Sequence, residues 1–117
     1  MLSRFGSDRG SVTVEMAIAL SGVVVMLALS LSAIGAVIAA MQATDAAAAA
    51  ARLAARGDRD RADAAATQLG PAGADVSIKV DGDEVSVTVT AQPMPMLLGL
   101  RPSATACAVL EPGAVTE

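Results

Sequence analysis

Histidine, tryptophan and tyrosine are absent, Phe5 is the sole phenylalanine and Cys107 the sole cysteine. Each absence excludes a class of function. Without histidine the chain lacks the commonest acid–base catalyst and metal ligand. Without stacking aromatics or a basic stripe, and with a net charge of −4, it has no equipment for nucleic acid. One cysteine cannot form an intrachain disulfide, and its default reading is a small buried apolar residue. Large core-forming side chains are scarce too. Hydrophobic residues make up 54% of the 117, but Ala and Val supply much of that fraction. A chain this short and this rich in alanine buries little area of its own. Support from a membrane or from neighbouring subunits is therefore expected.

What is present is a long uncharged run. Residues 1–10 are polar, with Arg4, Asp8 and Arg9. From Ser11 to Thr44 the single charge is Glu15, and no proline interrupts. About 20 residues span a bilayer as a helix, so the run is long enough to cross with tilt or overhang. The spacing predicts a membrane helix over 11–44. Six consecutive alanines at 46–51 carry the helix onward, Arg52 and Arg56 suit its negative end, and Gly57 stops it.

Beyond Gly57 the period changes. Asp58 can cap a second helix reaching Leu69, which Gly70-Pro71 closes. Val76, Ile78 and Val80 alternate with polar residues, as do Val85, Val87 and Val89. Asp81-Gly82-Asp83 lies between them, and alternating runs about an Asp-Gly predict a hairpin. Pro93 and Pro95 open a loop, Ser103–Glu111 reads as a third strand with Ala104, Ala106, Ala108 and Leu110 on one face, and 112–117 reads as a disordered tail. The expected fold is α+β: a long N-terminal transmembrane helix running into a soluble one, a short helix, and an antiparallel sheet of about three strands. The expected division is a leader at 1–10, the span at 11–44 and a small extracytoplasmic domain at 45–117.

No catalytic constellation is found. Asp81, Asp83 and Glu84 gather carboxylates at a turn, but a calcium site needs six to eight oxygen ligands. No base stands near a Ser or Thr to activate it. No enzyme activity, metal or cofactor is expected. Glu15 is the residue that calls for explanation, since a charged side chain within lipid costs at least about 2.5–3.5 kcal/mol. At headgroup depth it could simply snorkel into water. If the chain is cut after Gly10, however, the new amine of Ser11 carries positive charge at neutral pH, because a free α-amino group ordinarily titrates at about 7.7–8.0. Glu15 of one subunit could then meet that amine on another.

The segment Arg9-Gly10-Ser11-Val12-Thr13-Val14-Glu15-Met16-Ala17 resembles the processing site of type IV pilins and pseudopilins, and more narrowly the TadE family of tight-adherence (Flp) pilus systems. The resemblance implies cleavage between Gly10 and Ser11 by a prepilin peptidase, Glu15 as fifth residue of the mature chain, and a minor structural or assembly role beside other pilin or pseudopilin subunits. It implies a cytoplasmic N-terminus and an external C-terminal domain. Ser21 stands where members often carry proline, so a kink is not implied. By positive charge alone, Arg52, Arg56, Arg59 and Arg61 outnumber Arg4 and Arg9 and favour the opposite topology; those later arginines lie beyond lipid reach, which weakens the rule here. The alternatives are an uncleaved single-span anchor or small membrane regulator, and a secreted protein whose signal peptide includes the apolar run. Signal cores run about 7–15 residues, much shorter than this one.

Ala28, Ser32, Ala36 and Ala40 recur every four residues, flanked by Gly35 and Ala39. Small side chains at that spacing let helix backbones approach closely in lipid. Leu at both Ser32 and Ala36 is expected to impair assembly, read by crosslinking in membranes, while membrane insertion stays intact.

Overall fold

The computed structural model describes residues 7–114. The fold is α+β: helix α1 (Ser7–Ala55), helix α2 (Arg59–Leu69), and strands β1 (Asp75–Asp81), β2 (Glu84–Thr90) and β3 (Ser103–Val109), with a 3-10 turn at Pro95–Leu97 before β3. The molecule is a rod with a small head, 95 × 21 × 15 Å. At about 1.5 Å per residue α1 alone accounts for about 74 Å of that length.

Helix α1 has no interruption. It begins earlier than the sequence suggests, passing through Gly10 and Ser11, so residues 7–10 of the expected leader are already helical. Asp8 lies in the first turn, where a carboxylate favours the helix dipole, and one glycine costs only about 1 kcal/mol of propensity. Residues 1–6, which include Arg4 and Phe5, lie outside the described residues. The missing proline has the expected consequence: Ser21 donates to the Ala17 carbonyl at 2.7 Å and the helix runs on. Its end is a Schellman closure. Asp58 N–H donates to Leu53 O at 3.2 Å and Gly57 N–H to Ala54 O at 3.0 Å, with Gly57 at φ 83°. Asp58 then caps α2, its side chain accepting from the Arg61 N–H.

The sheet is antiparallel in the order β1-β2-β3. Its hairpin is tighter than an Asp-Gly turn. Asp81 pairs with Glu84, so the loop is Gly82-Asp83, and of the two only Gly82 has positive φ. That is the II′ pattern, which takes glycine at the first central position. Val85, Val87 and Val89 of the central strand are fully buried. They face an alanine strip on α1 (Ala43, Ala46, Ala47, Ala50, Ala51, Ala54) and Ala62 and Ala66 of α2, with Val76, Ile78, Ala104, Ala106, Ala108 and Leu110 at the margins. Alanine is what lets two helices and a sheet come this close. Gly70 carries the same requirement: a Cβ there would stand 2.7 Å from the Ala66 carbonyl oxygen.

The other face of the sheet is polar, as expected of a small antiparallel sheet covered on one side. Thr88 and Thr105 share a hydroxyl hydrogen bond of 2.9 Å across the strands. Cys107 points to this side and is exposed, which corrects the reading of a buried thiol. Even-numbered residues of β3 face the helix, and 107 is odd. The tail expected over 112–117 is described only as far as Ala114. Strand β3 stops at Val109, Glu111 N–H donates to Ala55 O at 2.9 Å, and Ala114 N–H closes a turn onto Glu111 O at 3.0 Å. Residues 115–117 lie outside the described residues.

Two outcomes follow from this packing. Ala47→Leu forces a branched side chain into a fully packed site and is expected to cost about 1–3 kcal/mol, whereas Ala64→Leu on the exposed side of α2 stays near neutral; chemical denaturation in detergent distinguishes them. The Cys107 thiol is held above its ordinary pKa, first by its hydrogen bond to Glu84 and then by slight desolvation and the Glu84 charge. A raised pKa means less thiolate at a given pH. Glu84→Ala removes both the acceptor and the charge, so Cys107 should alkylate faster with iodoacetamide near neutral pH, with its rate profile displaced to lower pH.

Candidate functional site: an apolar helix with a lone carboxylate

The first half of α1 is bare. Val12, Val14, Met16, Ile18, Leu20 and the residues that follow are exposed all round as far as Leu27. The large apolar side chains from Leu29 to Met41 stay exposed, while Ser32, Gly35, Ala36, Ala39 and Ala40 among them are half-buried or buried. Only from Ala39 does the helix become buried beneath the head. This is the one described helix long and apolar enough to cross a membrane. Such a surface needs a solvent other than water or a set of neighbouring helices.

Glu15 sits in that apolar surface, exposed. Among the described residues no cation pairs with it. The sequence-predicted residues Gly10, Ser11 and Glu15 come together on one side of α1, where they share a shallow notch with Val14, Ile18 and Ala19. The notch exists because Gly10, Ser11 and Ala19 are small. Nothing lies within 4 Å of a Cβ built on Gly10, so this backbone is open to an approaching partner. Ser11 and Glu15, four apart, lie one above the other. The chemistry on offer is recognition. A carboxylate among apolar side chains can accept a cation or hydrogen-bond donor, and no nucleophile with a base adjoins it.

The small-residue stripe divides. Ser32 donates to the Ala28 carbonyl at 2.8 Å, so its hydroxyl is satisfied within its own helix. Ser32 and the flanking Gly35 and Ala39 line a groove of about 370 Å³ shared with Pro71, Ala91 and the loop Gln92–Met96. Ala40 instead borders a separate hollow with Val37, Met41, Thr44 and Asp45. One edge of the stripe is thus occupied by the protein's own head, while Ala28, Ala36 and Ala40 remain half-buried along its length.

Sequence reasoning missed the loop between β2 and β3 as a surface feature. Met96, Leu98 and Leu100 project from it, Leu98 at 102% exposure. The signal was available, since residues 92–100 contain no charge, but proline punctuation made the segment read only as a connection.

No family model matches the sequence, and no solved structure matches it. The apoptosis inhibitor Rv3655c of Mycobacterium tuberculosis is 41% identical to it over 99 residues, spanning 85% of this chain and 78% of the relative. Similarity at this level over most of both chains covers helix and head together. The chain belongs to the family of this mycobacterial protein.

Proposed function

We propose that the protein is a single-pass membrane protein acting as a minor pilin-like or pseudopilin-like subunit, structural rather than catalytic, in a tight-adherence pilus or related secretion apparatus. The observation that carries this reading is Glu15, an exposed carboxylate with no counter-ion among the described residues of its own chain, set four residues after Ser11 on an otherwise apolar helix. Cleavage after Gly10 by a prepilin peptidase supplies the missing cation, as the α-amino group of Ser11. Paired between neighbouring subunits, the two charges neutralise each other in a medium where either alone is costly. A subunit docked out of register leaves both unpaired, so the pair rewards the correct stagger. The resemblance of residues 9–17 to TadE-like pseudopilins supports the same reading.

In this arrangement the N-terminus is cytoplasmic and the head lies outside. Arg52, Arg56, Arg59 and Arg61 all belong to the head or to the covered end of α1, turns beyond the bare segment. The uncleaved single-span anchor is the nearest competitor and differs at one checkable point. A second reading comes from the mycobacterial relative, whose name describes inhibition of apoptosis; there the head would act on a host cell, and the helix would serve only to deliver it.

The experiment is N-terminal sequencing of the protein from host membranes, paired with Glu15→Gln. The expected result is a mature chain beginning at Ser11, and a Glu15→Gln chain that is still cleaved and inserted but recovered in assemblies at least about tenfold less. That factor corresponds to about 1.4 kcal/mol of lost pairing. A chain beginning at Met1 with undiminished function would leave the anchor reading. Inhibition of apoptosis by the unaltered chain that Glu15→Gln leaves intact, with recovery in assemblies also unchanged, would favour the second.

A further inference from the structure

We propose that the β2–β3 loop, residues 92–100, is a lipid-seated foot: its apolar tip enters the bilayer interface on the side of the head, beside the helix that spans it. This rests on the membrane reading of α1 above, but not on cleavage or on a pilus.

The loop lies at the height of the bilayer's far boundary. A bilayer's hydrocarbon is about 30 Å thick, or about 20 helical residues at about 1.5 Å each. Counted from Glu15, the first charge at the near boundary, the far boundary falls around Ala36. The groove that the loop shares with α1 is lined on the helix side by Ser32, Gly35 and Ala39. The loop therefore meets the helix where lipid gives way to headgroups. The bare helical surface continues past this level on other faces, with Val37, Ile38 and Met41 all exposed.

The loop presents an apolar, uncharged tip. Met96, Leu98 and Leu100 are exposed by 56%, 102% and 54%. No charge occurs from Ala91 to Leu100, and the first to follow is Arg101. Arg101 is pinned at the loop's base, its Nε donating to Ala91 O at 3.1 Å and its Nη2 to Asp75 Oδ2 at 2.7 Å. The uncharged tip thus ends at a base made polar by the Arg101–Asp75 ion pair, the change from apolar to charged that an interfacial segment needs.

The tip is held in shape by its own backbone. Met94 and Leu100 form a bridge, Met94 N–H donating to Leu100 O at 3.0 Å, while Gly99 N–H returns to Met94 O at 3.0 Å. Ala91 N–H closes the base onto Pro102 O at 2.7 Å. Leu98 is the only described residue other than glycine with positive φ, at 55°. The left-handed residue caps the Pro95–Leu97 turn, a position where glycine sits without strain; a leucine side chain turned wholly outward there gains no contact from its own fold. An apolar medium against the tip supplies that contact.

The test uses the full chain with Cys107→Ser, reconstituted in vesicles of phosphatidylethanolamine and phosphatidylglycerol at high lipid-to-protein ratio. Single cysteines at Leu98→Cys, Met96→Cys, Val24→Cys and Lys79→Cys carry an environment-sensitive dye, and lipids brominated along the acyl chain act as quencher. Met96 serves as a second tip position in case the strained site at 98 tolerates labelling poorly. The expected result is strong quenching at Val24, none at Lys79, and at both tip positions a blue-shifted emission with intermediate quenching that further dilution in lipid leaves unchanged. Tip labels that behave like Lys79 while Val24 is quenched overturn this inference alone. Tip protection that disappears on dilution assigns the surface to a second copy of the chain and also overturns it. An unquenched Val24 removes the membrane reading and this one with it.

Discussion

The constraint on which the rest depends is the unbroken hydrogen-bond ladder of α1. One helix serves two surroundings, bare and apolar along its first half and covered by the head along its second. Without a hinge, kink or proline between them, the positions of Glu15, the small-residue stripe and the head are fixed along a single axis. A flexible joint near residue 40 would decouple them, and neither the lone carboxylate nor the loop would have a defined depth. The Ser and Thr residues that could disturb the ladder fold their hydroxyls back onto it, as Ser21, Ser30, Ser32 and Thr44 do four residues upstream.

Alanine has opposite meanings in the two halves. In the covered half, Ala43, Ala46, Ala47, Ala50 and Ala54 make a smooth strip against which Val85, Val87 and Val89 and the alanines of α2 can settle. Close approach substitutes for bulk, and the largest fully buried side chains are three valines. A core of that kind buries little area per residue and punishes any added branch. In the bare half the same small residues leave shallow places, at Gly10–Ser11 and along Ala28–Ala40, in a surface otherwise made of Val, Leu, Ile and Met. There they are points at which another backbone could come near.

Much of this was legible from the sequence because it depends on local periodicity. The second helix follows from its cap at Asp58 and its stop at Gly70, and the hairpin from two alternating runs about a glycine. What was not legible depends on long-range placement. Cys107 read as buried because cysteine usually is; its orientation follows from the parity of β3 once Ala104, Ala106 and Ala108 turn toward α1. The turn at Gly82 was recognised, but its type was settled by the pairing of Asp81 with Glu84. The height of the 92–100 loop beside α1 is a property of how the sheet docks on the helix, for which no local pattern speaks. Among the candidate site residues, the lone charge in an apolar run singled out Glu15, and the pattern of residues 9–17 singled out Gly10 and Ser11. That Glu15 lacks a partner required the surrounding surface to be seen.

A lone acid at one end of an apolar helix and an apolar foot at the other have a joint consequence. On the proposed reading Glu15 resists being drawn deeper from one side, and the tip of the loop resists being lifted out on the other. Residues 15 and 36 are separated by about the thickness of the hydrocarbon, so the span is held with little freedom to slide. Because the foot lies on one side of the helix only, it also opposes rotation about the helix axis and favours tilt toward the loop. The stripe of Ala28, Ala36 and Ala40 and the notch at Gly10–Glu15 would then present a fixed aspect to neighbours in the membrane. A subunit that meets its partners in one orientation loses less rotational freedom on docking than one free to spin, and a weak core with one buried charge pair can suffice for assembly.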